Sequence, residues 1–181
     1  MGKLYNSYIS SYKMDTPQWR EFLEIAGDIY YRPELQGLEK FEQHFKINRL
    51  QHIRSVSYLS FLASKKLKLN VKETCRGALM HDLFYYDWRE KDKSHRLHGY
   101  RHPGFALKNA YELVGTLTPI EKNIIQRHMW PLTPTPPKYR EAFVVSFMDK
   151  YCATIELVYS FSESYRNKFH EITGIGGETC N

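Results

Sequence analysis

The adjacent pair His81-Asp82 lies in Arg76-Gly77-Ala78-Leu79-Met80-His81-Asp82-Leu83-Phe84, a short and largely apolar stretch. An imidazole and a carboxylate in such surroundings are costly to bury unless something binds them. Side by side at a helix end, they offer a nitrogen and an oxygen, both good ligands for a divalent ion. A helix-terminal His followed by an Asp near a turn is also a common and chemically idle arrangement, so other residues must decide. Three do: His52, His128 and Asp149 each fall on an apolar face of a different expected helix.

Those faces come from the elements that must carry the residues. Thr16-Pro17 reads as an N-cap followed by Pro at the first helical position. Trp19, Phe22, Leu23, Ala26, Ile29 and Tyr30 follow at helical spacing up to Pro33. A short helix is expected from Pro33 to Phe41. The best-defined helix runs from about Asn48 to Lys68, where His52, Val56, Leu59 and Ala63 share one face and aim His52 inward. An inward His is often a satisfied core residue. The next helix starts near Val71 and carries Cys75, Ala78, Leu79 and Met80 into His81-Asp82.

From Tyr85 to Arg101 the period breaks in a polar, basic segment, expected to be a long loop of the kind that often binds something. His102-Pro103 is expected to open a helix reaching Val114, with His102 at its mouth because the residue before Pro avoids the helical region. Thr118-Pro119-Ile120-Glu121 is a capping box with Pro at N1, starting a helix in which Ile120, Ile124, Ile125 and His128 share a face. Four prolines between Pro131 and Pro137 exclude regular helix. The last main helix runs from about Lys138 to Tyr159, with Val145, Met148, Cys152, Ile155 and Tyr159 as its buried stripe and Asp149 at the stripe's edge. An Asp there needs a cation or several donors, and a buried Arg or Lys would serve as well as a metal.

The reading is therefore an all-α, single-domain helical bundle over residues 16–162. Residues 1–15 are expected to be an irregular N-terminus and 163–181 a C-terminal tail ending in Gly174-Ile175-Gly176-Gly177. No strand is expected. Bundles build metal sites from facing helices. With no thiol fitting the set, Fe, Mn, Co, Ni, Mg or catalytic Zn is favoured over a structural zinc.

Composition narrows the class. The 181 residues suffice for one domain with a real core, and 42% apolar with 25% charged residues is ordinary for a soluble globule. No run approaches the ~20 apolar residues of a membrane span. Met1-Gly2-Lys3-Leu4-Tyr5-Asn6-Ser7 has no apolar signal region, and Cys75, Cys152 and Cys180 form no framework, so a reducing cytoplasm is expected. The net charge of +6 is concentrated partly in Arg89, Lys91, Lys93, Arg96 and Arg101, just after the His-Asp pair. That loop would attract phosphate, or equally be plain solvated surface. Nucleic acid is disfavoured, because no recognisable module or basic helical stripe is present.

The order of His, then His-Asp, then Asp on successive helices resembles the HD superfamily of metal-dependent phosphohydrolases. The matching stretches are Arg49-Leu50-Gln51-His52-Ile53-Arg54-Ser55-Val56, Ala78-Leu79-Met80-His81-Asp82-Leu83 and Ser146-Phe147-Met148-Asp149-Lys150, within roughly residues 45 to 160. The resemblance implies a metal bound by His52, His81, Asp82 and Asp149. It also implies, as in binuclear members, a second ion on His102 and His128 with Asp82 bridging. A mononuclear alternative leaves His102 as a helix-end residue and His128 as a substrate contact. Many members continue His-Asp-Ile-Gly, whereas this chain has His81-Asp82-Leu83-Phe84. The segment that marks the cyclic-di-GMP phosphodiesterase branch is absent.

The expected activity is hydrolysis of a small phosphate ester, a nucleotide being favoured, with Asp82 and His81 as the central catalytic pair. A divalent ion lowers the pKa of its bound water, in favourable zinc cases to about 7, and so supplies a metal-bound hydroxide. Arg89, Lys93, Arg96, Arg101 and Lys150 are the expected phosphate-binding cations. Two alternatives stand beside it: a non-catalytic, metal-stabilised nucleotide-binding or regulatory domain, and an iron-dependent oxygenase of the same superfamily. A homo-oligomer is compatible with either.

Overall fold

Short polar signals set where four of the helices begin. A computed structural model describes residues 2–44, 47–90, 96–161, 163, 167 and 169–171. Among these, the helices are α1 (Gly2–Ser10), α2 (Pro17–Tyr30), α3 (Pro33–Gln36), α4 (Arg49–Lys66), α5 (Val71–Met80), α6 (His98–Val114), α7 (Pro119–Arg127) and α8 (Arg140–Phe161). Thr16 caps α2 by accepting the Trp19 N–H. Asn48 and Gln51 cap α4 reciprocally, Asn70 accepts from the Glu73 N–H at α5, and Thr118 with Glu121 forms the expected capping box of α7. Each cap satisfies backbone donors that the first helical turn leaves without partners.

The all-α expectation holds for the bundle, with one addition. A 3-10 turn (Gly37–Lys40) leads into a small antiparallel pair, β1 (Glu42–His44) and β2 (Ile47–Asn48). The pair folds the chain back so that Arg49 enters α4 facing Gln43, and the Arg49 N–H bonds Phe41 O at 2.8 Å. At two or three residues per strand, it is too short to show an alternating pattern.

Helix α4 is the centre of the bundle, packed against α5 and α8. His52, Val56 and Leu59 are buried as expected and Ala63 is half-buried, but burial does not stop at one face: Ser55, Ser57, Ser60 and Ser64 are buried too. Those small side chains permit close approach, and Ser57 Oγ donates to Cys75 O on α5. At one end Trp19 stacks on Tyr58 at 4.5 Å, with Phe22 and Phe61 against them. On the other side of α5, Gly77 lets α7 come close. A Cβ there would lie 2.7 Å from Ile124 Cδ1 and 3.0 Å from Ile124 Cβ. Because the second contact is near the backbone, a rotamer change cannot relieve it. Gly77→Ala is expected to destabilise the fold by about 1–3 kcal/mol despite the better helix propensity of Ala. Chemical denaturation would show this as a lower midpoint at unchanged slope.

Four boundaries differ from the sequence reading. Residues 1–15 are not irregular, since Gly2–Ser10 is helical and buries Tyr8 and Ile9. Helix α6 starts at His98, one turn before the expected His102, and holds Pro103 in its interior. Tertiary contacts override the local bias there: the His102 ring packs on Phe84 and His98 and is buried. The C-terminal tail is not all tail, because Phe169 is buried against Tyr8 and Tyr12. The short helix expected over Pro33 to Phe41 is split between α3 and the 3-10 turn. The Gly174-to-Gly177 stretch, Cys180 and the side chain of Tyr159 lie outside the described residues. Cys75 and Cys152 are buried free thiols, as expected.

Candidate metal centre

Four helix ends and one helix middle converge. His52 is in the first turns of α4. His81 and Asp82 follow α5 directly, His102 is in α6, His128 ends α7, and Asp149 is in mid-α8. All six side chains are buried. They form two groups, His52–His81–Asp149 and Asp82–His102–His128, each with ligand atoms within 4.8 Å of one another. His52 Nε2 is 3.1 Å and His81 Nε2 3.8 Å from Asp149 Oδ1. His102 Nε2 and His128 Nε2 are 3.1 and 3.4 Å from Asp82 Oδ1, and His81 Nε2 is 3.6 Å from Asp82 Oδ2. Asp82 thus stands between the groups, one oxygen toward each.

The second ring nitrogens decide what the centre can hold. His81 Nδ1 donates to Ala78 O at 2.7 Å, His102 Nδ1 to His98 O at 2.9 Å, and His128 Nδ1 to Ile125 O at 2.8 Å. A carbonyl can only accept, so each Nδ1 carries the proton and each neutral ring presents a bare Nε2 lone pair inward. His102 Nε2 and His128 Nε2 face each other at 2.7 Å. Two lone pairs at that distance repel unless a cation lies on them. A shared proton would satisfy that pair, yet His81 Nε2 and Asp82 Oδ1 are also buried without a hydrogen-bond partner. Inward lone pairs and carboxylates with their outer nitrogens fixed by acceptors are the donor set of a metal centre. The residues fit one or two divalent ions.

Charge distribution agrees. Burial pushes the His81 imidazole down to about 4, and the neighbouring His128 and His52 rings add to this against the pull of Asp82 and Asp149. His81 is therefore neutral at neutral pH. Burial alone would raise Asp82, but His81 and His102 hold it well below the usual carboxylate range. His52 and Lys150 do the same for Asp149. His52 differs from the other rings. Burial opposes its charge, but Glu156 and Asp149, one at each nitrogen, outweigh this and hold it well above the usual imidazole value. Without metal, His52 is thus protonated at neutral pH, and an ion must displace that proton. Metal binding is expected to release about one proton per chain at pH 7 and to weaken as pH falls. Calorimetry in two buffers of different ionisation heat would check this, since identical heats would mean that His52 was already neutral.

Four residues of the centre escaped the sequence reading. Glu156 lies seven positions after Asp149 on the same face of α8, and its oxygens are 2.9 and 3.1 Å from His52 Nδ1. Tyr8 donates to it from α1 at 3.0 Å. Gln43 donates to Asp82 Oδ2 at 2.9 Å and accepts from Arg49 Nε at 2.9 Å. The fully buried Arg49 guanidinium also donates to Phe84 O and Tyr86 O and lies 3.6 Å from the Phe84 ring centroid. A Glu at i+7 from an inward Asp was a readable signal. The Gln43 and Arg49 contacts depend on the small sheet and carried none.

The expected phosphate-binding cations do not form one group. Lys150 is at the centre: its Nζ donates to Asp149 Oδ2 at 2.9 Å and to His128 O. With its side chain 38% exposed and that of Asp149 12% exposed, the pair is the side of the centre that solvent touches. Arg89 spends its guanidinium on Asp87 and Glu42. Arg101 lies on the exposed side of α6 over the Phe105 ring, and Arg96 is exposed. Lys93, like Lys91, lies outside the described residues. No described helix is long and apolar enough to cross a membrane. Comparison with family models, curated proteins and solved structures returned no match.

Proposed function

We propose that the chain is an HD-type, metal-dependent phosphohydrolase acting on a small phosphate ester, preferentially a nucleotide, with a binuclear centre. One observation supports it most: five neighbouring elements bring six imidazole and carboxylate ligands together, and the three backbone-anchored imidazoles aim their lone pairs inward. His52, His81 and Asp149 would hold one ion, His102 and His128 the other, and Asp82 would serve both. Bound there, divalent ions would supply an acidified water as nucleophile and neutralise charge on the phosphoryl oxygens.

The chain's own residues do the remaining work. Carbonyls behind His81, His102 and His128 fix their tautomers, so within these three rings no proton has to change nitrogen before an ion binds. Buried walls keep bulk water from the ligands, which strengthens every charge interaction inside. Lys150, partly exposed and anchored to Asp149 Oδ2 and His128 O, would be the cation nearest to an incoming phosphate. The engagement of Arg89 by two carboxylates favours a second reading, a metal-stabilised regulatory domain that binds without turnover.

The test is metal-dependent release of phosphate from a panel of nucleotides, phosphomonoesters and phosphodiesters, with protein loaded anaerobically with Mn or Fe. Phosphate release is expected with about two metal equivalents per chain. His128→Ala is expected to retain about one and to lose at least about 100-fold in kcat, because the nucleophile loses its second ion. Full metal content without turnover of any ester would leave the regulatory reading. Substrate-dependent oxygen consumption would instead indicate an oxygenase.

A further inference from the structure

The two ligand groups differ in what stands behind them. Three of the four imidazoles lean on neutral backbone carbonyls, and His52 alone leans on a carboxylate, Glu156. Glu156 is 1% exposed, and its partner on the far side, the Tyr8 hydroxyl, is neutral. Behind Asp82 the arrangement is reversed: Gln43 links it to Arg49, a cation shut away from solvent. With His52 neutral, as a ligand to an ion must be, Lys150 is the one cation among the described residues that faces Asp149 and Glu156, which leaves one negative charge for an ion to balance. In the Asp82–His102–His128 group, Asp82 and the Arg49 behind it cancel. Lys150 is partly exposed and screened by water, while Arg49 is not, so the real imbalance exceeds the formal one. A carboxylate on the outer nitrogen of a ligand His also makes that ring a stronger donor.

Building on the binuclear reading, we propose that the two positions fill in a fixed order. The His52–His81–Asp149 position takes its ion first and keeps it, with Glu156 as the positioning residue responsible. The Asp82–His102–His128 position fills second and weakly, because Arg49 offsets its charge and the first ion repels the second across Asp82. The second ion therefore comes and goes with the free metal concentration, and metal supply switches the centre between a one-ion and a two-ion state.

Metal-free protein titrated with Mn²⁺, with bound metal measured by equilibrium dialysis and elemental analysis, tests the order. Wild type is expected to take two equivalents in steps at least about tenfold apart in Kd. Glu156→Gln keeps the shape and removes the charge, and it is expected to weaken the tight step by about 10–100-fold, with the weak step within about threefold of wild type. His128→Ala is expected to lose the weak step and keep the tight one. Two equal steps, or a Glu156→Gln effect confined to the weak step, would overturn the order while leaving the binuclear reading intact. A wild-type chain that saturates at one equivalent would overturn both. If Glu156→Gln does not fold by circular dichroism, His128→Ala still decides: loss of its tight step refutes the proposal.

Discussion

Replacing Asp82 with Ala is expected to leave a helical protein that no longer retains metal. Its two oxygens serve different groups, Oδ1 toward His102 and His128 and Oδ2 toward His81, so one substitution damages both positions. His102 and His128 would then face each other with no anion beside them, and His81 would keep only Asp149, so an ion at either position would have lost a nearby charge. Metal content after gel filtration is expected to fall from about two equivalents to well below one, and any ester hydrolysis by at least about 1,000-fold. The helical bundle should still form, because Asp82 contributes no apolar packing and follows α5 rather than lying within it, although Arg49 is then buried without its opposing charge and stability falls. Elemental analysis beside far-ultraviolet circular dichroism checks both halves. Full metal content in this variant would refute the ligand assignment.

The second large effect is expected from Arg49, through stability. Its guanidinium bonds Gln43, Phe84 O and Tyr86 O, and it lies between the rings of Phe41 and Phe84. Burial pulls it down to about 10, with Asp82 and the nearby Asp87 opposing, so it stays charged at neutral pH. Arg49→Ala would strand two carbonyls, free Gln43 from its anchor and leave Asp82 without its cation. Breaking a buried charge arrangement this way costs about 3–5 kcal/mol. For a domain of this length that is a fall in Tm on the order of 10 °C. Arg49→Lys should recover less than half, because an ammonium cannot serve three acceptors in the planar fork geometry of Arg. Urea denaturation of both variants measures this, and a loss under about 1 kcal/mol for Arg49→Ala would show that Asp82 is balanced elsewhere.

The candidate centre was unusually legible because its residues break a pattern. His52, His128 and Asp149 are polar groups on faces otherwise apolar, and the fold buries all three. Helix starts were legible where a side chain closes on its own backbone a few residues away, as at Thr16 and Thr118. What stayed hidden was set by distant contacts. Gln43 looks like any surface glutamine until β1 and β2 bring it under Asp82. The polar sequence of α1 gave little sign that Tyr8 and Ile9 belong to the core. The early start of α6 was misread because a local rule, the restriction on the residue before Pro103, was outweighed by packing around His102.

Tyr8 and Glu156 are 148 positions apart in the chain, and Phe169 stacks on the same tyrosine. Behind His52, then, the early and late parts of the chain clasp each other. Losing either α1 or the Phe169 contact would loosen the hydroxyl that steadies Glu156, and with it the outer partner of the His52 imidazole. A version trimmed to the span that carries the six ligands would keep every ligand and lose the latch behind one of them.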